Sequence, residues 1–282
     1  MARHTRSKQK PRKAGRSAAR LLGEGGSLSR RMHGLGWTPD LPDHRDFLYA
    51  APTPVLRKIP VRADLRSKCP KKIYSQGQLG SCTGNAIAAA IEFDLMKQRA
   101  RKVFTPSRLF IYYNERAIEH TIDEDSGAQI RDGIKTVAKL GACPEDEWPY
   151  DILQFTEKPS SSCYTDAKKN LVKVYQRLVQ DLNTMKGCIA DGFPFVFGFT
   201  VYQSFMSASV ARTGNVPMPS TAEKVDGGHA VLAVGYDDAT RRFTVRNSWG
   251  KDWGKGGYFF MPYAYLLDDN LAADFWTIRG IL

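Results

Sequence analysis

Residues 82–98 place Ile87, Ile91 and Leu95 at i, i+4 and i+8, the spacing of one helical face, and fill the other faces with Ala86, Ala88, Ala89 and Ala90. A helix this apolar belongs in a core, so the rest of the chain must surround it. At 282 residues and 42% hydrophobic content the chain is long enough to do so, as one large globular unit or as two lobes. Its longest apolar runs, such as 193–201, are broken by Pro and Gly and fall short of the roughly 18 residues of a membrane span. A soluble protein without a span is expected.

Further helices are predicted over 106–120 and 130–140, the second stopped by Gly141. Past about residue 160 the pattern changes, and 193–202, 229–236, 242–246 and 257–261 read as strands rich in Val, Phe and Tyr. Residues 237–240 form a turn between the second and third strands. Residues 57–75, with Pro60 and Pro70, are irregular, and 34–51 mix prolines, acids and aromatics without a period, as an extended segment would. The organisation predicted is a basic tail over 1–31, an extended segment over 32–58, a mainly helical part over 59–160 and a mainly β part over 161–282.

The apolar helix begins at a cysteine. A helix N-terminus presents unpaired N–H groups and the positive end of its dipole, which favours thiolate over thiol, so Cys82 is placed to act as a nucleophile. Gly77 and Gly80 let the preceding loop bend tightly, leaving backbone amides and the side chain of Gln76 to point at whatever the sulfur attacks, as an oxyanion hole does. The competing reading is a buried, inert cysteine packed by alanines. A thiolate needs a base. Of five histidines, His229 is distinctive because it opens a predicted strand behind Gly227 and Gly228. Asn247 ends the next strand eighteen residues on, and a hairpin would let its amide orient the imidazole. Trp249 could shield that bond from water.

Gln76, "GSC" around Cys82, "GHAV" from Gly228 and "NSWG" from Asn247 resemble, in order, the oxyanion glutamine, nucleophile, base and orienting asparagine of papain-like cysteine peptidases. "IPVRADLR" from Ile59 resembles the family's mature start, and the similarity extends to about Ile278, nearest the bacterial branch. The resemblance implies an α+β, two-lobe fold with a helical left domain, an antiparallel β-barrel on the right and the active site in the cleft between them. It implies hydrolysis of protein or peptide substrates through a thioester, with no metal or organic cofactor. Substrate contacts are expected at Gly127, Ala128 and Gln129, at Gly227, Gly228 and Trp249, and at Ala273 or Asp274 on the floor of the second subsite, with an apolar or mixed preference there. Thr83 stands where most members have tryptophan, and Leu79 replaces a cysteine, so one family disulfide is absent. Family members commonly carry an inhibitory propeptide, and here residues 34–51 are expected to run through or beside the cleft as the chain's own inhibitor. A strap that only stabilises the fold is the alternative.

Other papain-fold chemistry, amidase or transamidase, remains a rival function. Another is polyanion binding through the tail, because residues 1–31 hold ten basic side chains and one acid, a charge of +9, against +3 for the remainder. A solvated arm is the plainer reading of that tail, and a weak anionic ligand the sharper one. The five cysteines show no Cys-x-x-Cys, and with no signal peptide read, all five are expected reduced in a cytoplasmic protein; two disulfides plus one thiol is the alternative. A monomer is expected.

Overall fold

The computed structural model describes residues 33–282, so the basic tail predicted over 1–31 lies outside the described residues. In chain order the elements are β1 (Trp37–Thr38), α1 (Thr53–Arg57), β2 (Arg62–Asp64), α2 (Cys82–Lys97), α3 (Arg108–Glu119), β3 (Ala128–Gln129), α4 (Ile130–Lys139), α5 (Ser161–Ala167) and β4 (Val172–Arg177). They continue with α6 (Leu182–Ala190), β5 (Phe195–Tyr202), α7 (Ala208–Thr213), β6 (Val225–Asp237), β7 (Arg242–Arg246), β8 (Tyr258–Pro262), α8 (Tyr263–Leu267) and β9 (Ala272–Ile281).

Local chemistry sets the helix ends. Ser107 caps α3 by accepting from the Phe110 amide, and His120 closes it in the left-handed conformation. Gly141, at φ +79°, stops α4 as predicted. The apolar helix α2 is buried along almost its whole length, with α3 and α4 on one side and strands β5, β6 and β9 on the other. Its alanines allow that close approach from every direction.

The β part is a seven-stranded antiparallel sheet in the order β4-β9-β5-β6-β7-β8, with β2 added to the far end of β6. Its core face carries an aromatic cluster in which Phe195, Phe197 and Phe275 meet at ring distances near 6 Å. The α+β class is as expected, but the sheet is open where a closed barrel was expected. Both outer edges already have partners. Arg177 of β4 exchanges backbone hydrogen bonds with Phe47 and Tyr49, and Phe260 of β8 does so with Gly214 and Val216. Each loop thus pairs with its edge at one residue and leaves the sheet open. The strand containing His229 also starts earlier than predicted, at Val225, because Gly227 and Gly228 already pair with Val201 and Thr200 of β5. All five cysteines are buried and free.

Candidate active site

Cys82 occupies the first position of α2, behind Ser81, and has no solvent exposure. His229 lies within β6 opposite Phe199 and is equally enclosed. The β6–β7 hairpin brings Asn247 to it, and the two side chains join through His229 Nε2 and Asn247 Oδ1 at 2.8 Å. Asn247 Oδ1 also accepts from the Ser248 amide at 2.9 Å, which fixes the side chain's orientation. Among the described residues His229 Nδ1 is buried without a hydrogen-bond partner, so one ring nitrogen is committed and the other is not. Trp249 stacks on the imidazole with centroids 4.7 Å apart and planes 28° from parallel. Ser248, which sequence reasoning missed, donates its hydroxyl to Gln76 Oε1 at 2.6 Å. That bond aims the Gln76 amide nitrogen the other way. Only the adjacency of Ser248 to Asn247 could have hinted at it.

Residues 33–41 cover this constellation. The His33 ring stacks on Trp249, with centroids 4.4 Å apart and planes 6° from parallel. Gln76 Nε2 donates to the carbonyls of Gly34 and Leu79, each at 3.0 Å. The Gly36 carbonyl accepts from the Ala128 amide at 2.7 Å, and β1 pairs in parallel with β3, Trp37 opposite Ala128 and Thr38 opposite Gln129. Gly36 is obligatory, since a Cβ there would stand 1.8 Å from the Gly80 carbonyl oxygen. Leu35 lies against Gly227, and Trp37 lies over Gly228 and Gly198, the latter paired with Ala273. Trp37 Nε1 and the Asp40 amide both donate to Asp274 Oδ2, at 3.2 and 2.8 Å. Asp40 in turn accepts from the Arg131 amide and from Trp276 Nε1, while Asp46 bridges the guanidinium groups of Arg131 and Arg177. Gly127, Ala128, Gln129, Gly227, Gly228, Trp249, Ala273 and Asp274 thus converge on one groove, and the segment fills it. Of the segment's aromatic side chains, Trp37 and Tyr49 are buried but Phe47 is exposed.

Enclosure decides the charges. Burial pushes the Cys82 thiol up to about 12, although the amides of Ala230, Gly36 and Thr83 pull the other way. Burial likewise brings His229 down to about 4, against the hydrogen bond that its ring donates to Asn247. The sequence argument expected the helix terminus to hold a thiolate. A helix dipole contributes about 0.3–1 kcal/mol, whereas full desolvation shifts a pKa by as much as about 3–5 units, each worth about 1.4 kcal/mol. Desolvation wins, and the covered pair is a neutral thiol and a neutral imidazole. Asp40 is raised to about 7, chiefly by burial and then by Asp274 beside it. Burial alone would raise Asp46 too, but its hydrogen bonds from Arg131 and Arg177 hold it below the usual range. Among the described residues no three His, Cys, Asp or Glu side chains form a group able to hold a metal ion, and no helix is long and apolar enough to cross a membrane.

Comparison with known proteins meets this geometry from outside. The family model described as papain family cysteine protease matches residues 59–266. The chain is 45% identical over 270 residues to an uncharacterized peptidase C1-like protein, L477, of Acanthamoeba polyphaga mimivirus, which spans 88% of this chain and 87% of that protein. Among solved structures, xylellain, a cysteine protease from Xylella fastidiosa, superposes with a TM-score of 0.84 at 46% identity, covering 90% of this chain and 98% of that one. A proCathepsin B from Trypanosoma congolense, at 19% identity and a TM-score of 0.66 over 83% of this chain and 82% of its own, shares the fold.

Proposed function

From a chain that belongs to the papain family of cysteine proteases, we infer an endopeptidase that works through Cys82, His229 and Asn247 and is held latent by its own residues 34–51. The Cys82 sulfur gives its proton to His229 Nδ1 and attacks the peptide carbonyl carbon. The resulting oxyanion is received by Gln76 Nε2 and the Cys82 amide. His229 then returns the proton to the leaving amine as the C–N bond breaks, leaving a thioester. Water attacks that thioester, its proton passes to His229, and the thiolate departs with the acid product. Asn247 Oδ1 holds the Nε2–H tautomer throughout, which leaves Nδ1 for the sulfur.

One observation carries the latency. The Gln76 amide nitrogen, needed for the oxyanion, is already spent on the carbonyls of Gly34 and Leu79. A substrate carbonyl cannot use that donor until the segment leaves. To test this, the full chain receives a recognition sequence for a site-specific protease in place of residues 42–45, a largely exposed stretch, and is assayed before and after cutting. Cutting should raise turnover of a fluorogenic peptide by at least tenfold and permit labelling by an epoxysuccinyl reagent, both abolished in Cys82→Ala. Equal turnover before and after cutting would leave the segment a strap. Turnover that survives Cys82→Ala would remove the thioester.

A further inference from the structure

The turn ahead of α2 is anchored by a carboxylate that the mechanism above does not use. The Gly80 amide donates to both oxygens of Asp125, each at 3.0 Å. That amide shares a peptide unit with the Leu79 carbonyl, and a planar trans peptide points its C=O and N–H in opposite directions. Asp125 on one side therefore sets where the Leu79 oxygen points on the other. It points at Gln76 Nε2, 3.0 Å away. Gly80 has no Cβ to resist rotation of the peptide plane, so the plane must be held by a partner. A Cβ at that position would stand 3.0 Å from Asp125 Oδ1.

Asp125 is itself held in place. Tyr112, wholly buried on α3, donates its hydroxyl to Asp125 Oδ1 at 2.5 Å and accepts from the Gly127 amide at 3.2 Å. One turn further along α3, Arg116 ties down the carbonyls of Ile122 and Glu124, so the chain leaving that helix reaches Asp125 along a fixed path. A single line of hydrogen bonds thus runs from Gly127 at the rim of the groove through Tyr112 and Asp125 to Gly80. Among the described residues no cysteine is bonded to another, and Leu79 stands where the family has a cysteine, so no covalent bridge braces this turn.

Gln76 offers one carbonyl oxygen and two amide hydrogens. Ser248 holds the oxygen, the Leu79 carbonyl holds one hydrogen, and the other reaches Gly34 in the latent chain. Resting on the peptidase reading above, we propose that Asp125 is a positioning residue for the reaction: by fixing the Leu79–Gly80 peptide it keeps the Gln76 amide in the rotation that presents its second hydrogen to the oxyanion. Without the carboxylate that peptide turns, the Leu79 oxygen leaves Gln76 Nε2, and the amide swings about its one remaining bond, to Ser248. The loss falls on the transition state, because the oxyanion exists only once the sulfur has attacked.

Turnover, thiol reactivity and the signals of Gln76 decide it, read on the full chain cut at the engineered 42–45 site. Asp125→Ala should lower kcat by roughly tenfold or more, short of the roughly 10²–10³-fold that follows removal of an oxyanion donor. KM should stay within about threefold. Asp125→Asn, whose Oδ1 still accepts from Gly80 and Tyr112, should return kcat to within about fivefold of the native value. Alkylation of Cys82 by iodoacetamide forms no oxyanion, so in Asp125→Ala it should run at the native rate. In a Gln76→Ala background, Asp125→Ala should lower kcat by less than about twofold, since its effect passes through the missing amide. Alkylation that falls in step with turnover, or an equal loss with and without Gln76, would make Asp125 a support of the fold and overturn the assignment. Native kcat in Asp125→Ala would do the same. Independently of turnover, the side-chain NH2 resonances of Gln76 in the isotope-labelled chain should shift in Asp125→Ala and return in Asp125→Asn, and resonances that stay in place overturn the assignment. A native cut chain that turns over no peptide, with those resonances moving as stated, counts against the peptidase reading and supports the hold of Asp125 on Gln76.

Discussion

Thr83 shows how one residue ties helix α2 to its support. Its hydroxyl donates at 2.6 Å to Glu115 Oε2 on α3, directly behind Cys82. Burial lifts Glu115 to about 8, so it stays protonated at neutral pH, and its Oε1 has no partner. Thr83→Val keeps the shape and removes the hydroxyl. It should therefore cost about 1–3 kcal/mol, read in thermal or urea unfolding, whereas Thr83→Ser should stay within about 0.5 kcal/mol of the native chain. A Thr83→Val protein as stable as the native one would mean that the pair contributes nothing net. The sequence shows Thr83 only as a departure from the tryptophan expected there. Its partner lies 32 positions away on another helix, which no local pattern could reveal.

Among the elements, legibility followed how locally each is determined. Helix α2 was read to within a residue because its composition leaves only a core position, and β5, β7 and β8 were found from Val, Phe and Tyr content. Strand β9 was not predicted: a β-bulge at Asp274 breaks its period, and the bulge makes sense only against β5. Strand β4, half-exposed with Lys173 and Val174 facing outward, lacks the apolar content that marked the others. Gln76, Cys82, His229 and Asn247 stood out in the sequence because each sits in a short contiguous motif, whereas the path of residues 33–41 depends on contacts such as Gly36 with Gly80. That contact gives a test at the same scale. In the uncut chain Gly36→Ala places a methyl group on the Gly80 carbonyl, so the segment must lift and peptide turnover should rise several-fold toward that of the cut enzyme. Unchanged turnover in the uncut variant would show that the groove tolerates displacement without opening.

For the whole molecule, buried ionisable groups set how stability follows pH. Glu115, raised to about 8, and Asp40 and Glu119, each raised to about 7, bind protons more tightly folded than unfolded. Their contribution is complete below their ordinary values near 4 and is lost as pH rises toward 7–8. His229, brought down to about 4, acts oppositely, and its share is lost as pH falls from 6.5 through 4. Between pH 4.5 and 6.5 three raised carboxyls outweigh one lowered imidazole, so Tm of the uncut chain should be highest near pH 4 and decline steadily toward pH 8. Glu115→Gln should flatten the alkaline limb, and an unaltered slope would remove Glu115 from the account. The open sheet has a consequence for where the chain can be cut as well. The outer edge of β4 is paired at Arg177 by residues 47 and 49, which lie just beyond the part of the segment that fills the groove. A cut within 42–45 frees the groove and leaves that cover attached. Severance further on, toward residue 57, would free the amide and carbonyl of Arg177 as well and lengthen the open edge on which a second copy could add strands. Where the chain is cut therefore also sets how much of that edge stays covered.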